Sequence, residues 1–264
     1  MTLTLEGRRA LVGGGSRGIG QGSAVALAGH GAAVTLMSRN AEALEAIAGE
    51  LPRPVDQEHD FIAVDFAGWK DVRDAAAHDV SANGPVAILV NNTGGPGAGP
   101  LQEAAPEALA AAFEQHILTN QALVQAVQPG MIEMGYGRII NIISTSVVTP
   151  IRGLGVSNTI RAAVANWART LAAELGGYGI TVNNVLPGYI DTDRLRSSNE
   201  RRAELAGTTI EEMAVAQVAS IPTGRLGTPE DIGAVVAFLA SEAAAYVNGV
   251  NLPVDGGRLV SLNA

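Results

Sequence analysis

Short apolar runs alternate along the whole chain with longer segments in which hydrophobic residues recur at helical spacing. Segments such as AEALEAIAGEL and RAAVANWARTLAAEL have the period of amphipathic helices. Strands with few polar residues, separated by helices, indicate a parallel sheet buried on both faces. The pattern therefore predicts one doubly wound α/β domain over residues 1–264. It has helices on both faces and about seven parallel strands, at Ala10–Val12, Ala33–Met37, Ile62–Val64, Ala87–Val90, Arg138–Ile143, Thr181–Val185 and Val250–Val254.

One segment, at about residues 191–220, departs from this alternation because it is charged, and its pattern predicts helix in two pieces. A long excursion in a regular domain is usually a lid or a binding element, so we expect it to cover the substrate. Its arginines could meet an acidic substrate: Arg194, Arg196, Arg201 and Arg202. Carboxylates lie among them and favour a solvated, self-paired helix face instead: Asp191, Asp193, Glu200 and Glu204.

Composition narrows the classes of partner. The net charge of −9 argues against nucleic acid and against an anionic membrane surface. The chain has no cysteine, which excludes disulfides, thiolate catalysis and cysteine-based zinc sites, and no metal site is predicted. The first residues lack the apolar core of a signal peptide, and no apolar run approaches the roughly 18 residues of a membrane span. We expect a cytoplasmic protein.

The first predicted strand runs directly into the glycine-rich stretch GGGSRGIG at residues 13–20, which is followed by a predicted helix. Its spacing is Gly14-x-x-x-Gly18-x-Gly20. Glycine allows a strand-to-helix turn to approach a pyrophosphate closely, and the N–H groups at the helix N-terminus then hold the anion. The stretch predicts a dinucleotide site.

The end of the second strand indicates which dinucleotide is bound. A carboxylate at this place would bind the ribose 2′-hydroxyl of NAD, but this chain has Ser38 and Arg39. A guanidinium binds a 2′-phosphate through charge-assisted hydrogen bonds, and Arg17 in the glycine-rich stretch could reach the same phosphate. We therefore predict NADP(H) as the cofactor. The alternative is that both arginines are simply solvated.

Several further motifs accompany the glycine-rich stretch: NNTGG at residues 91–95, NIIS at 141–144, LPGYIDT at 186–192, IPTGRLGTPEDIGAVVAFLAS and VDGG. Together they resemble the short-chain dehydrogenase/reductase family, and in particular its 3-oxoacyl-[acyl carrier protein] reductase branch. The resemblance extends from Leu5 to Gly257. It implies a Rossmann fold, hydride transfer between nicotinamide and a ketone or secondary alcohol, a small-molecule substrate, and a homotetramer or homodimer. An acyl carrier protein substrate would rest on this analogy alone.

The resemblance also implies cofactor contacts by position. The residues that would line the diphosphate are Gly14, Ser16, Arg17, Gly18, Ile19 and Gly20. Those expected at the adenine are Asp65 and Phe66, and those under the adjoining ribose are Asn92 and Gly94. Those expected at the nicotinamide and its ribose are Pro187, Gly188, Ile190, Thr192 and Arg161. Family members usually have threonine where Gly13 stands and alanine where Thr93 stands.

The catalytic set of the family is incomplete in this chain. In the family a serine precedes the catalytic tyrosine by thirteen positions, and a lysine follows four positions later. Counted from Ser144, these two places hold Ser157 and Arg161. The RAAV that begins at Arg161 matches the family's KAAV. A serine hydroxyl is a poor proton donor compared with a phenol of pKa near 10. A guanidinium keeps the positive charge but cannot relay a proton.

His116, thirteen positions before Pro129, occupies the place of the family's active-site asparagine. A histidine can donate a proton near neutral pH, so His116 is a candidate donor. Asn120, one helical turn later, could partly replace the asparagine, and Tyr189 is another phenol near the expected site. The alternatives are that His116 lies on a helix face at a subunit contact and that Tyr189 covers the cofactor pocket.

Two functions are compatible with these residues. The first is an NADP(H)-dependent oxidoreductase with atypical proton chemistry, which the presence of Ser144 favours. The second is an NADP(H)-binding pseudoenzyme that acts as a sensor or a partner subunit, which the missing tyrosine favours. We expect the oxidoreductase.

Overall fold

A computed structural model describes residues 3–260, apart from the side chains of Arg201, Arg202, Leu205 and Ala206. Within this range seven parallel strands form one sheet in the order β3-β2-β1-β4-β5-β6-β7. Their bounds are β1 Arg9–Gly13, β2 Ala33–Ser38, β3 Asp60–Ala63, β4 Ile88–Asn91, β5 Gly137–Ile142, β6 Ile180–Pro187 and β7 Asn251–Val254. The predicted doubly wound fold is confirmed, and each predicted strand overlaps an observed one.

The helices of the described range cover both faces of the sheet. Their bounds are α1 Gly18–Gly29, α2 Ala41–Glu50, α3 Trp69–Asn83, α4 Pro106–Phe113, α5 Thr119–Met134, α6 Gly155–Leu175, α7 Asp193–Ala206, α8 Ile210–Ala219 and α9 Pro229–Ala240. A single π-helical turn, Glu114–Leu118, joins α4 to α5. None of the helices between residues 3 and 260 combines the length and the apolar character that a membrane span requires.

The core lies in two layers, one on each side of the sheet. All eight residues of β6 are buried, as expected for a strand covered on both faces. On one face, alanine, leucine, isoleucine and valine side chains of α1, α2 and α9 pack against the strands. On the other face, α3, α5 and α6 do the same. The alanine-rich faces of these helices allow close approach to the sheet.

The strand order determines where a ligand can bind. From β1 the chain proceeds outwards to β2 and β3 and then crosses back to β4 on the other side of β1. The segments that follow β1 and β4 therefore diverge and leave a crevice at the carboxyl edge of the sheet. Open α/β sheets bind their ligands at such a switch point. The glycine-rich stretch and the NNTGG motif both lie there.

The charged segment after β6 forms α7 and α8. Thr192 caps α7 by accepting a hydrogen bond from the Leu195 N–H at 3.3 Å. Thr209 and Glu212 form a reciprocal capping box at the start of α8. The role of this segment as a lid stays a prediction.

Candidate active site

The glycine-rich stretch forms a tight turn that only glycine can make at several positions. Gly14 and Gly18 have φ of 60° and 54°, in the left-handed region. A Cβ on Gly20 would lie 2.1 Å from the backbone oxygen of Gly14, so a side chain there would push the loop apart. Helix α1 begins at Gly18, and Arg17 before it makes no side-chain capping bond. The first N–H groups of α1 are therefore available to an anion.

Two side chains support this loop from beneath. The Asn92 amide donates to the Gly13 carbonyl at 3.1 Å, and the Phe66 ring lies against Gly13. A Cβ on Gly13 would lie 2.8 Å from the Asn92 carbonyl oxygen, so a larger residue here would require the loop to shift. Both side chains thus position the loop, whereas their predicted places at the ribose and the adenine stay predictions. The neighbouring Asp65 is exposed, and its carboxylate accepts the Ala67 N–H at 3.0 Å.

The end of β2 offers polar groups where the adenosine ribose is expected. The Ser38 hydroxyl is buried and finds no hydrogen-bond partner among the described residues. Arg39 is exposed, and Arg17 lies 4.0 Å from a carboxylate oxygen of Asp193 with its side chain largely in solvent. A helix N-terminus without a side-chain cap, a turn that requires glycine at Gly14, Gly18 and Gly20, and a hydroxyl without a partner among the described residues together fit a dinucleotide.

The residues predicted at the nicotinamide follow β6. Pro187 ends the strand, and the Gly188 N–H donates to the Val254 carbonyl at 3.0 Å. Ile190 is buried, and the Thr192 hydroxyl donates back to the Ile190 carbonyl at 3.2 Å. A Cβ on Gly18 would lie 3.2 Å from the Thr192 methyl group, so this segment touches the glycine-rich turn. The two sides of the predicted cofactor site are therefore adjacent.

The residues predicted to occupy the family's catalytic positions lie after β5 and at the start of α6. Ser144 follows this strand, and its Oγ accepts the Ser146 N–H at 3.0 Å. Ser157 is half-buried in the first turn of α6, and Arg161 lies one turn later. The Arg161 guanidinium returns to the strand and donates to the Ile142 carbonyl at 2.8 Å. The Arg161 side chain is therefore bound to the backbone of β5, two residues before Ser144.

A second arginine, from α7, reaches the same place. Arg194 donates to the Pro96 carbonyl at 2.8 Å, in the loop that follows β4. Burial together with the nearby positive charge of Arg194 lowers the pKa of Arg161 to about 10. Burial lowers the pKa of Arg194 as well. Both guanidinium groups remain charged at neutral pH, and both lie close to Gly95.

His116 lies in the π-helical turn and is buried. Its Nδ1 is 3.1 Å from the Thr93 hydroxyl, while its buried Nε2 has no partner among the described residues. Burial, and after it the charges of Arg161 and Arg194, lower the pKa of His116 to about 3. The lowered pKa favours a neutral ring at pH 7 and argues against an imidazolium donor, and a part for His116 in proton transfer stays a prediction. Because the ring is buried within the chain, the alternative of a subunit contact is wrong.

The other two candidates near the site have different surroundings. Asn120 is buried at the start of α5, and its side-chain oxygen has no partner among the described residues. The Tyr189 ring lies under the guanidinium of Arg258 at 4.6 Å, beside the segment that follows β7. This contact with Arg258 does not involve Ser144 or Ser157. It favours the alternative in which Tyr189 covers the cofactor pocket.

Comparison with known proteins agrees with this geometry. A family model described as enoyl-(acyl carrier protein) reductase matches residues 14–258. The 3-oxoacyl-[acyl-carrier-protein] reductase of Pseudomonas aeruginosa is 36% identical over 261 residues, which cover 98% of this chain and all of the relative. The crystal structure of L-sorbose reductase from Gluconobacter frateurii with NADPH and L-sorbose has a TM-score of 0.91 at 30% identity, covering 99% and 100% of the two chains. A gluconate 5-dehydrogenase from Burkholderia cenocepacia, solved with NADP and tartrate, has a TM-score of 0.88 at 31% identity, covering 99% and 98%.

A doubly wound sheet with a glycine-rich turn at its switch point is typical of dinucleotide-binding proteins. The chain belongs to the short-chain dehydrogenase/reductase family and is similar to its 3-oxoacyl-[acyl-carrier-protein] reductases. The bound nucleotide in the two solved neighbours agrees with the prediction of NADP(H).

The structure separates two arginines that the sequence treated alike. A self-paired helix face was the favoured alternative for both, and it holds for Arg196, which pairs with Asp191 at 3.0 Å and Asp193 at 3.2 Å. Arg194 instead turns towards Pro96. No spacing in the sequence distinguishes the two arginines, because the distinction arises from the loop after β4. The side chains of Arg201 and Arg202 lie outside the described residues.

Proposed function

We propose that this protein is an NADP(H)-dependent oxidoreductase that reduces a ketone, or oxidises the corresponding secondary alcohol, without a phenol as proton donor. The observation that carries the proposal is that the glycine-rich turn after β1 and Ser144 after β5 both lie at the carboxyl edge of the sheet, where Arg161 donates to the Ile142 carbonyl. When bound, the reduced nicotinamide supplies a hydride for the carbonyl carbon, and a proton must reach the carbonyl oxygen to complete the alcohol.

Ser144 and Arg161 have defined tasks in this reaction. Since the Ser144 Oγ accepts its hydrogen bond from the Ser146 N–H, its own hydroxyl proton is available to a substrate carbonyl. The charge of Arg161, held against the end of β5, stabilises the negative charge that develops on that oxygen. Ser157 leaves space where the phenol of the family would stand, and the proton comes from a water molecule at this position.

The same reasoning predicts which substrates react. A well-placed general acid contributes about 10²–10⁴-fold in rate, so simple ketones should react slowly without one. Substrates whose reduced oxygen is less basic depend less on a proton donor and should react fastest: quinones, which give phenols, and diketones, in which the second carbonyl withdraws electrons.

The test is the loss of NADPH absorbance with a panel of β-ketoesters, diketones, quinones and aldehydes. We expect turnover with NADPH and the order diketone or quinone before simple ketone. Tight NADPH binding without turnover of any compound would instead support a pseudoenzyme that acts as a sensor or partner subunit, the function that the missing tyrosine favours. Absence of NADPH binding would contradict both functions.

A further inference from the structure

Two arginines from different helices converge on one point of the predicted active site. A Cβ on Gly95 would lie 2.9 Å from Arg194 Nη2 and 3.7 Å from Arg161 Nη2. Arg161 is fixed by the Ile142 carbonyl at the end of β5, and Arg194 is fixed by the Pro96 carbonyl. Both guanidinium groups therefore reach the same stretch of the loop after β4.

No carboxylate of the described residues neutralises this pair. Arg161 and Arg194 take part in none of the ion pairs within residues 3–260, and their recorded hydrogen bonds go to backbone carbonyls. Arg196, two residues further along α7, shows the contrast because it binds two carboxylates. Each guanidinium has five N–H donors, so most donors of the pair remain available to a ligand.

The arrangement is costly unless an anion joins it. Two like charges close together are unfavourable: the charge of Arg194 adds to burial in lowering the pKa of Arg161, whereas burial lowers the pKa of Arg194. His116 is close enough for the charges of both arginines to lower its pKa, and its ring is neutral at pH 7. Its buried Nε2 lacks a partner among the described residues. A negatively charged ligand would relieve the repulsion between the arginines.

We expect the phosphates of the dinucleotide elsewhere in the crevice. The diphosphate is assigned to the turn at Gly14–Gly20, and the 2′-phosphate to Ser38 and Arg39 at the end of β2. Arg161 instead lies on the β5 side of the crevice, next to Ser144, where the proposed function places the reacting carbonyl. The anion therefore belongs to the substrate.

We propose that Arg161 and Arg194 bind a carboxylate of the substrate, so that oxo acids and hydroxy acids bind more tightly than their neutral counterparts. This inference rests on the proposed function for its substrate, but the site can be tested by binding alone. Guanidinium groups suit a carboxylate because their N–H donors match its two oxygens.

The experiment is calorimetric titration of the NADPH complex with acetoacetate and with its ethyl ester, which differ in the carboxylate. Three proteins are compared: the unaltered chain, Arg194→Met and the matched control Arg196→Met. We expect acetoacetate to bind the unaltered protein more tightly than the ester does. Arg194→Met should weaken acetoacetate by about 10–100-fold, the usual effect of a charge-assisted bond, and leave the ester unchanged. Arg196→Met should change either affinity less than about twofold.

Several outcomes would overturn the inference. Equal affinity of the unaltered protein for acetoacetate and its ester is one. A weaker affinity for NADPH in Arg194→Met, with acetoacetate unaffected, would assign the pair to the cofactor. Binding of inorganic phosphate that depends on Arg194, without binding of acetoacetate, would show that the anion is not a carboxylate. If acetoacetate binds selectively but no compound is reduced, the carboxylate site stands and the oxidoreductase function fails.

Discussion

At the scale of single residues, the predicted site differs from the family at positions where the substitution changes a charge or a proton-donating group. Ser157 and Arg161 replace a phenol and an ammonium, and Arg39 stands where an NAD-binding chain would carry a carboxylate. His116 replaces an amide by an imidazole that the fold keeps neutral. Each difference has a measurable consequence in binding or in pH dependence.

Arg39→Asp tests the choice of cofactor. A carboxylate at this position would repel the 2′-phosphate and could accept a hydrogen bond from a ribose hydroxyl. We expect the Kd for NADPH to rise about 10–100-fold, the effect of losing a charge-assisted bond, while the Kd for NADH falls or stays the same. Calorimetry with both nucleotides measures this. Equal affinity for NADH and NADPH in the unaltered protein would contradict the assignment.

His116→Asn tests whether the imidazole is held neutral. In the unfolded chain the pKa of histidine is about 6.5, whereas in the folded chain the pKa of His116 is about 3. Above pH 6.5 the ring is neutral in both states and does not contribute. Between these two pKa values only the unfolded chain takes up the proton, so the free energy of unfolding falls as pH falls, by up to about 1.4 kcal/mol per pH unit.

We therefore expect His116→Asn to lose less stability than the unaltered protein when urea unfolding is measured at about pH 5 instead of about pH 7. His78→Asn, at an exposed position on α3, is the control and should follow the unaltered protein. The same pH dependence in all three proteins would mean that His116 titrates normally.

At the scale of elements, the sequence predicted the strands, whereas it predicted only part of the candidate site. Continuous apolar runs such as those of β1, β4 and β6 predicted their strands because both faces of the sheet are covered. The glycine-rich stretch predicted its turn, since the positive φ of Gly14 and Gly18 requires glycine. Local pattern contains no such signal for the π-helical turn at His116 or for the direction of Arg194. Both depend on packing against the loop after β4.

Gly20→Ala tests the turn, with Gly29→Ala on the same helix as its control. The new Cβ at position 20 would meet the Gly14 carbonyl, which is backbone and cannot move without opening the loop, whereas position 29 has open space around it. We expect Gly20→Ala to lower the free energy of unfolding by about 1–3 kcal/mol and to weaken NADPH binding. Gly29→Ala should leave binding intact. Urea unfolding and calorimetry measure the two effects, and normal NADPH affinity in Gly20→Ala would exclude the turn from the cofactor site.

At the scale of the whole molecule, exposed apolar side chains are relevant to the predicted oligomer. Large apolar side chains are exposed at Phe113 on α4 and at Tyr246 near the start of β7. The alanine-rich helices at 105–127 and 157–175 and the segment VNGVNLPVDGG near the C-terminus would form the contacts if the chain assembles as the family resemblance implies. Clusters of exposed apolar groups favour association, and closed symmetric assemblies are the usual form.

We accordingly predict a homotetramer with 222 symmetry, or its constituent dimer, in solution. Light scattering coupled to size-exclusion chromatography measures the mass. Tyr246→Glu should shift the distribution towards smaller species if this end of the molecule forms a contact. A monomer at micromolar concentration in the unaltered protein would contradict the prediction.

The central claim is that the molecule keeps the cofactor cradle and the carbonyl-binding side of an oxidoreductase while lacking its phenol. The most direct measurement is kcat/KM for a panel of simple ketones with the unaltered protein and with Ser157→Tyr combined with Arg161→Lys, using Arg161→Lys alone as the control. The account predicts that the double variant is faster by about 10²–10⁴-fold, the usual contribution of a general acid, and that the single variant is not. If the unaltered protein already reduces simple ketones as fast as the double variant, it possesses a competent proton donor and the account of the site is contradicted.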